Sequence, residues 1–375
     1  MRTWAYERKF VMPARQFPSK PDLNHLKYQA KDLLKGHADH DRGVAQRIRE
    51  FNPRFSHATD AEIFETALRL SDAQFTIARE YGFKSWARLK VHVESPELAS
   101  RLKLPYHERI EDAVFRCAVD LLDAGDVEGL RDHLKRHPKL VHEHVEFEAG
   151  NYFHSPTLLE FIAENPIRHE TLPKNIVEIA RVILDAGADR TAIHETLGLV
   201  STGRVSRECG VQIALIDLFC DRGCDPDGAL EAAVAHGEFD AAEALVRRGA
   251  RLSLPVAAAL GRVQDARGLL ASADDSDRRK ALALASQYGR VAVVQLLLDS
   301  GEDPNGYSPV HSHSTPLHQA ALSGHELVVR VLLEHGASAD ARDLLWHGTP
   351  ADWARHEGHT EIEALLRALE TKQES

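Results

Sequence analysis

Two Thr-Pro pairs, Thr315-Pro316 and Thr349-Pro350, stand 34 residues apart, and each opens the same order of apolar and breaker residues. STPLHQAALSGHELVVRVLLEHGASAD aligns with HGTPADWARHEGHTEIEALLRALE. Self-similarity at this spacing constrains the fold more than any local propensity, because it marks a structure built by stacking. Within one unit, Thr315 caps a first helix and Pro316 fills its first turn, where a missing N–H costs nothing. Gly324 then ends that helix in a left-handed conformation. A second helix, ELVVRVLLEHG, sets Val328, Val331 and Leu332 at i, i+3, i+4 before Gly336 stops it. One unit has nothing to cover that stripe, so its neighbours must, and the chain grows as a solenoid.

Further copies read upstream as KALALASQYGRVAVVQLLLDSGEDPN, GALEAAVAHGEFDAAEALVRRGA and the shorter LSLPVAAALGRVQDARGLLAS. More divergent are TLGLVSTGRVSRECGVQIALIDLFCDRGCDPD and TLLEFIAENPIRHETLPKNIVEIARVILDAGADR, the latter with an insertion. About seven or eight units, end caps included, fit between Glu111 and Glu370. STPLHQAALSGH resembles the TPLHxAAxxGH signature of the ankyrin repeat. The resemblance implies an all-α solenoid of helix-turn-helix units, with hairpin tips and first helices facing a concave surface. DLNHLKYQAKDLL and AREYGFKSWARLKVHV are similar to the helical segment that precedes the repeats in a set of bacterial ankyrin-repeat proteins. That similarity implies a bacterial, cytosolic setting. One departure from the family pattern is ENPIRHET, which lacks the glycine that usually follows the first helix. The expected division is an N-terminal arm over 1–20, a helical extension or cap over 21–95 packing on the first repeats, and a repeat domain over 108–372.

Composition agrees with an all-α protein: aromatic residues make up only 6% of the chain while Ala, Leu and Val abound, which suits closely packed helices. The net charge of -11 is uneven. Residues 1–95 hold 17 Lys/Arg against 12 Asp/Glu, leaving 29 against 45, or -16, for the remainder. An acidic body repels a phosphate backbone, so nucleic acid is an unfavourable partner except for the weakly basic N-terminal segment. No stretch reaches the ~18 apolar residues of a membrane helix, and the start lacks a signal peptide's apolar core, so the expected location is cytoplasmic. Four cysteines are too few for a disulfide framework.

Histidines pose the main question of chemistry. His318 belongs to the TPLH motif, and His325 and His359 follow helix-ending glycines, so all three read as framework. His133 and His137 lie four apart on a helical face but lack the glutamate of a zinc-protease motif, and read as a solvent-facing pair. Cys220 aligns with a core position and Cys224 with a turn position, and two further metal ligands are missing. Neither metal nor cofactor is expected. A second set sits in the loops ahead of the first helices: Tyr152, His154, Tyr307, His311, His313, Trp346 and His347. The first helices add Phe161, Glu164, Asn165, His236, Leu284, Gln287, Tyr288, Gln319, Ser323 and Trp353 as a candidate groove surface, Trp353 having the alternative role of covering the end of the core near the cap.

These positions allow two readings. In the first, aromatics and neutral histidines form the hot spots of a protein-binding groove, the acidic body favouring a basic partner for a monomeric, non-catalytic scaffold. In the alternative, His311, His313 and His347 bind metal or act as acid and base on a small molecule held near Trp346 and Trp353. A repeat step of about 10 Å is too wide for His313 and His347 to share an ion unless the loops converge.

Overall fold

A computed structural model describes residues 17–18, 21–56, 58–94, 104–147 and 152–373 and separates into two compact parts, Met1–Arg109 and Ile110–Ser375. The chain is all-α: among the described residues no strand forms, and one isolated antiparallel bridge joins His144 and Thr157. In the first part, helices Leu23–Ala38, Arg42–Phe51, Asp60–Glu65, Leu70–Glu80 and Trp86–Glu94 enclose Leu26, Ala30, Ile48, Ile63, Ile77 and Leu89. Glu80 is buried there, and its carboxylate accepts from Arg47 Nε at 2.6 Å and Nη2 at 3.0 Å. The arm expected over 1–20 lies outside the described residues apart from Phe17 and Pro18.

The second part repeats one motif. Eight helical pairs follow one another: Ala113–Asp123 with Val127–Arg136, Leu158–Ala163 with Ile176–Asp185, Arg190–Ser201 with Gln212–Asp221, Asp227–Ala235 with Phe239–Arg247, Leu254–Leu260 with Val263–Leu270, Asp275–Gln287 with Val291–Asp299, Pro316–Leu322 with Glu326–Glu334, and Pro350–Glu357 with Thr360–Gln373. Every first helix packs on the first helix of the next pair, forming one continuous row. Their core faces are built from small residues, Ala257, Ala258, Ala281, Ala285, Ala320, Ala321, Ala351 and Ala354, which let the helices approach closely. Val293, Leu297, Val328 and Leu332 from the second helices close the other side.

Capping follows the expected chemistry with one substitution of parts. Thr157, Thr315 and Thr349 each precede a first helix and form a capping box with the residue three positions on. That residue is Glu160, His318 or Asp352. Glu160 Oε2 accepts from Thr157 N at 2.7 Å and from its hydroxyl at 3.0 Å. At Pro316–Leu322 the imidazole replaces the carboxylate, with His318 Nδ1 3.3 Å from Thr315 N and 2.8 Å from Thr315 Oγ1. An acceptor Nδ1 requires the proton on Nε2, which donates to Gly348 O of the following unit at 3.1 Å. His318 therefore ties two units together while capping one.

The segment ENPIRHET solves its missing glycine with a carboxylate. Glu164 takes the left-handed conformation at φ 49° and is buried. Its Oε1 accepts from the backbone N–H groups of Arg168, His169 and Glu170. Arg168, also buried, makes a bidentate pair with Asp123 at 2.8 and 2.7 Å and lies over the Phe161 ring at 5.1 Å. Ahead of it, Val145 N donates to Pro156 O and Phe147 N to His154 O; Phe147 stacks on Phe153, which meets Phe161 edge-on.

At four of the junctions, successive units are joined at the start of the second helix. His325 Nε2 donates to Gln287 O at 3.0 Å and His359 Nε2 to Leu322 O at 3.1 Å, each reaching the end of the preceding first helix. Arg290 Nε does the same to Ala259 O at 2.7 Å, and Asn175 Nδ2 donates at 2.8 Å to Gly125 O, just beyond the preceding first helix. The rings need a glycine beneath them. A Cβ on Gly324, at φ +75°, would lie 2.6 Å from the His359 ring, whereas one on Gly336, at φ +88°, would meet nothing within 4 Å. Both Gly324→Ala and Gly336→Ala should lose about 1–2 kcal/mol to left-handed strain. Gly324→Ala should lose about 1 kcal/mol more, because His359 must leave its carbonyl. Urea midpoints measure the difference, and equal losses would remove His359 from the joint.

Candidate functional site

The rim positions separate by burial. Tyr152, His154, Tyr307, Trp346 and His347 are exposed in the loops ahead of their first helices, and His236 is exposed at the end of one. Asn165, Gln287, Tyr288, His311, His313 and Ser323 are half-buried. Phe161, Glu164, Leu284, Gln319 and Trp353, expected on the groove surface, are instead buried. The reason is geometric: Leu158–Ala163, Pro316–Leu322 and Pro350–Glu357 are short and run in a single row, so neighbours on both sides cover their central turns, whereas the longer Arg190–Ser201 still exposes His194 and Glu195. Gln319 accordingly spends its amide on Ser314 Oγ at 2.8 Å.

Several half-buried residues serve the frame. Tyr288 donates its hydroxyl to Val234 O at 2.9 Å and meets Phe239 edge-on at 4.9 Å, and burial raises its pKa. Asn165 accepts from Tyr152 Oη at 2.6 Å and donates to Leu199 O and Thr202 Oγ1, both at 3.2 Å. His311 Nε2 lies 2.7 Å from Gln287 Oε1, a donor-acceptor pair across consecutive units. Burial, reinforced by the neighbouring His313, pulls the His311 pKa down to about 4. It is a neutral donor near pH 7.

The two last hairpin tips converge. Leu344 N donates to His313 O at 2.8 Å and Tyr307 Oη to Arg342 O at 3.2 Å. The His313 ring sits 5.5 Å from Trp346 and 5.8 Å from Trp353, and the Trp353 ring lies 5.1 Å from His318. Beneath them Asp343 is fully buried, with Oδ1 accepting from Leu345 N at 2.9 Å and Trp346 N at 2.7 Å. Its Oδ2 accepts from Gly348 N at 2.8 Å and the Trp353 indole at 3.1 Å. Burial works to raise this carboxyl's pKa, but the four hydrogen bonds outweigh it and hold the group below the usual range. Asp343 organises the tip, and sequence reading missed it because one aspartate in a loop carries no spacing signal.

The remaining candidates resolve as structure. His133 is buried rather than solvent-facing, bonding Val114 O at 2.9 Å with its ring 4.8 Å from His137. Cys224 has a nearby histidine that its sequence neighbourhood did not reveal, His194 Nδ1 at 3.5 Å. Burial pushes the Cys224 thiol up to about 11, which keeps it protonated and opposes thiolate ligation. Among the described residues no group of three or more His, Cys, Asp or Glu side chains could hold a metal ion. Nor is any described helix long and apolar enough to cross a membrane.

The class defined by this row of capped helix pairs is the ankyrin solenoid. A family model for ankyrin repeats, three copies, matches residues 254–343. The chain is 34% identical over 125 residues to cyclin-dependent kinase 4 inhibitor B of Bos taurus, covering 93% of that protein and 32% of this one. It is 39% identical over 84 residues to palmitoyltransferase Hip14 of Drosophila melanogaster and 39% over 82 residues to potassium channel GORK of Arabidopsis thaliana. Those matches span 13% and 10% of the two longer proteins and 22% of this chain in each case. The chain belongs to the ankyrin-repeat family.

Two measurements test the site's electrostatics and packing. His311 binds its proton more weakly in the folded chain than in the unfolded one, so its contribution is full above the ordinary pKa of about 6.5. It is lost progressively as pH falls toward about 4. Urea midpoints should fall across that window, and His311→Gln should flatten the dependence. Trp353→Ala should cost about 3 kcal/mol or more, while Trp346→Ala should stay within about 1 kcal/mol. Similar thermal midpoints for the two variants would contradict the burial difference.

Proposed function

We propose that this chain is a non-catalytic scaffold that holds a protein partner along its hairpin rim and the exposed ends of its first helices. The observation that carries the reading is the exposure of Tyr152, Tyr307 and Trp346, one aromatic in each of three loops that precede a first helix, on an array whose interior is packed and hydrogen-bonded. Aromatic side chains on rigid supports bury much area at small entropic cost, which is what binding hot spots need. The near-complete coverage of a kinase inhibitor supports the view that an array of this kind suffices for a protein-directed role. In this reading residues 21–95 are a helical extension and 108–372 the binding domain of a monomer working in a bacterial cytoplasm. The charge of -16 over residues 96–375 favours a basic partner.

A photo-crosslinking amino acid at Tyr152, His236, Ser323 or His347 should give adducts with the partner in cells. The same group at Leu327 or Arg330, exposed on a second helix, should give none. Adducts confined to the second-helix positions would place binding on the opposite face and sink this assignment.

A further inference from the structure

Five of the exposed large apolar side chains come from the two converging tips: Tyr307, Val310, Leu344, Leu345 and Trp346, the last 69% exposed. The hydrogen bonds from Leu344 N to His313 O and from Tyr307 Oη to Arg342 O make these tips one surface. Asp343, with its four donors, fixes the backbone from which Leu344, Leu345 and Trp346 project. Three consecutive large apolar residues held outward on a rigid turn are not needed to fill the core. A contiguous patch of this kind marks an interaction site.

We propose that the two laced tips are a preformed docking site for a short apolar segment carrying lysine or arginine residues, supplied by another protein. This rests on the scaffold reading and names the chemistry of its partner. Size argues for a segment. Aromatic side chains offer about 150–250 Å² each, so five partly exposed apolar groups present on the order of 400–500 Å². A stable complex between folded proteins, a second copy of this chain included, buries about 800 Å² per partner. Charge argues for a basic one. Of the four carboxylates in residues 302–313 and 338–348, Glu302 is paired with Arg278 at 3.3 Å and Asp343 is buried, which leaves Asp303 and Asp340 exposed against one Lys/Arg side chain, Arg342. The exposed Arg342 guanidinium, turned onto His347 O at 2.8 Å, offsets only one of these two exposed carboxylates, so the tip residues keep a net negative charge. The Trp346 face also attracts a cation directly.

The test is fluorescence anisotropy of the full chain with two labelled peptides of about fourteen residues sharing one Leu/Phe pattern, one with lysines and its twin with glutamates at the same places. The lysine peptide should bind in the micromolar range and weaken about tenfold on raising salt from low to high. The twin should bind at least about tenfold more weakly. Leu345→Ser and Trp346→Ser should each lower lysine-peptide affinity about tenfold with circular dichroism unchanged. Leu327→Ser, at an equally exposed leucine on a second helix, should change nothing. Should either tip variant misfold, Leu344→Ser stands in. Equal binding of both peptides, or losses shared by Leu327→Ser, overturns the proposal. If crosslinks at His236 or Ser323 capture a partner whose binding survives both tip substitutions, the tip proposal falls and the scaffold reading stands. No adduct at any rim position and no peptide bound removes both.

Discussion

The last carbonyl groups of a helix have no partner within it, and a helix of seven residues such as Pro316–Leu322 is mostly ends. In this array the following unit supplies donors to those carbonyls. His325, His359, Arg290 and Asn175 occupy equivalent places just before a second helix; the first three donate to a carbonyl at the end of the preceding first helix, and Asn175 to Gly125 O just beyond it. Four side chains of three chemistries perform one task, which shows that the task is donation at a set reach rather than any property special to histidine. Where the donor is an imidazole ring, the left-handed Gly289 or Gly324 beneath it leaves the space that the link needs.

The N-terminal ends are settled by a complementary device. Glu160, His318 and Asp352 each accept from their capping threonine, but only the imidazole has a second nitrogen left to donate onward. Burial holds His318 below the ordinary imidazole range and Glu160 above the ordinary carboxyl range, so both are pushed toward the neutral form by the same desolvation. Three of the 22 histidines, His318, His325 and His359, thus serve the ends of short helices. His311, paired with Gln287, extends the pattern to the rim.

At the converging tips the same economy leaves a surface. Asp343 satisfies three backbone N–H groups and an indole, and the turn it stabilises presents Leu344, Leu345 and Trp346 to solvent. Trp346 and Trp353 lie 6.0 Å apart, yet the first is exposed while the second is buried between His313, His318 and Asp343. Two tryptophans seven residues apart thus divide into a support and a contact residue.

The repeat period, the capping threonines, the stripe of Val328, Val331 and Leu332 and the framework role of His318, His325 and His359 were legible in the sequence, because each is a local or periodic requirement. The exposed loop positions Tyr152, Tyr307 and Trp346 were legible for the same reason: they precede recognisable caps. What sequence could not decide was which side of a short first helix remains open. Phe161, Gln319 and Trp353 read as surface by alignment and are covered, because neighbouring units and the loops between them close over the central turns. Nor could spacing reveal Asp343, Arg290 or Glu164, whose roles exist only once residues distant in the chain or folded into one turn bring their donors and acceptors together. Periodicity dictates the helices and their order; burial and long-range hydrogen bonding, which need the assembled stack, decide which of their side chains meet solvent.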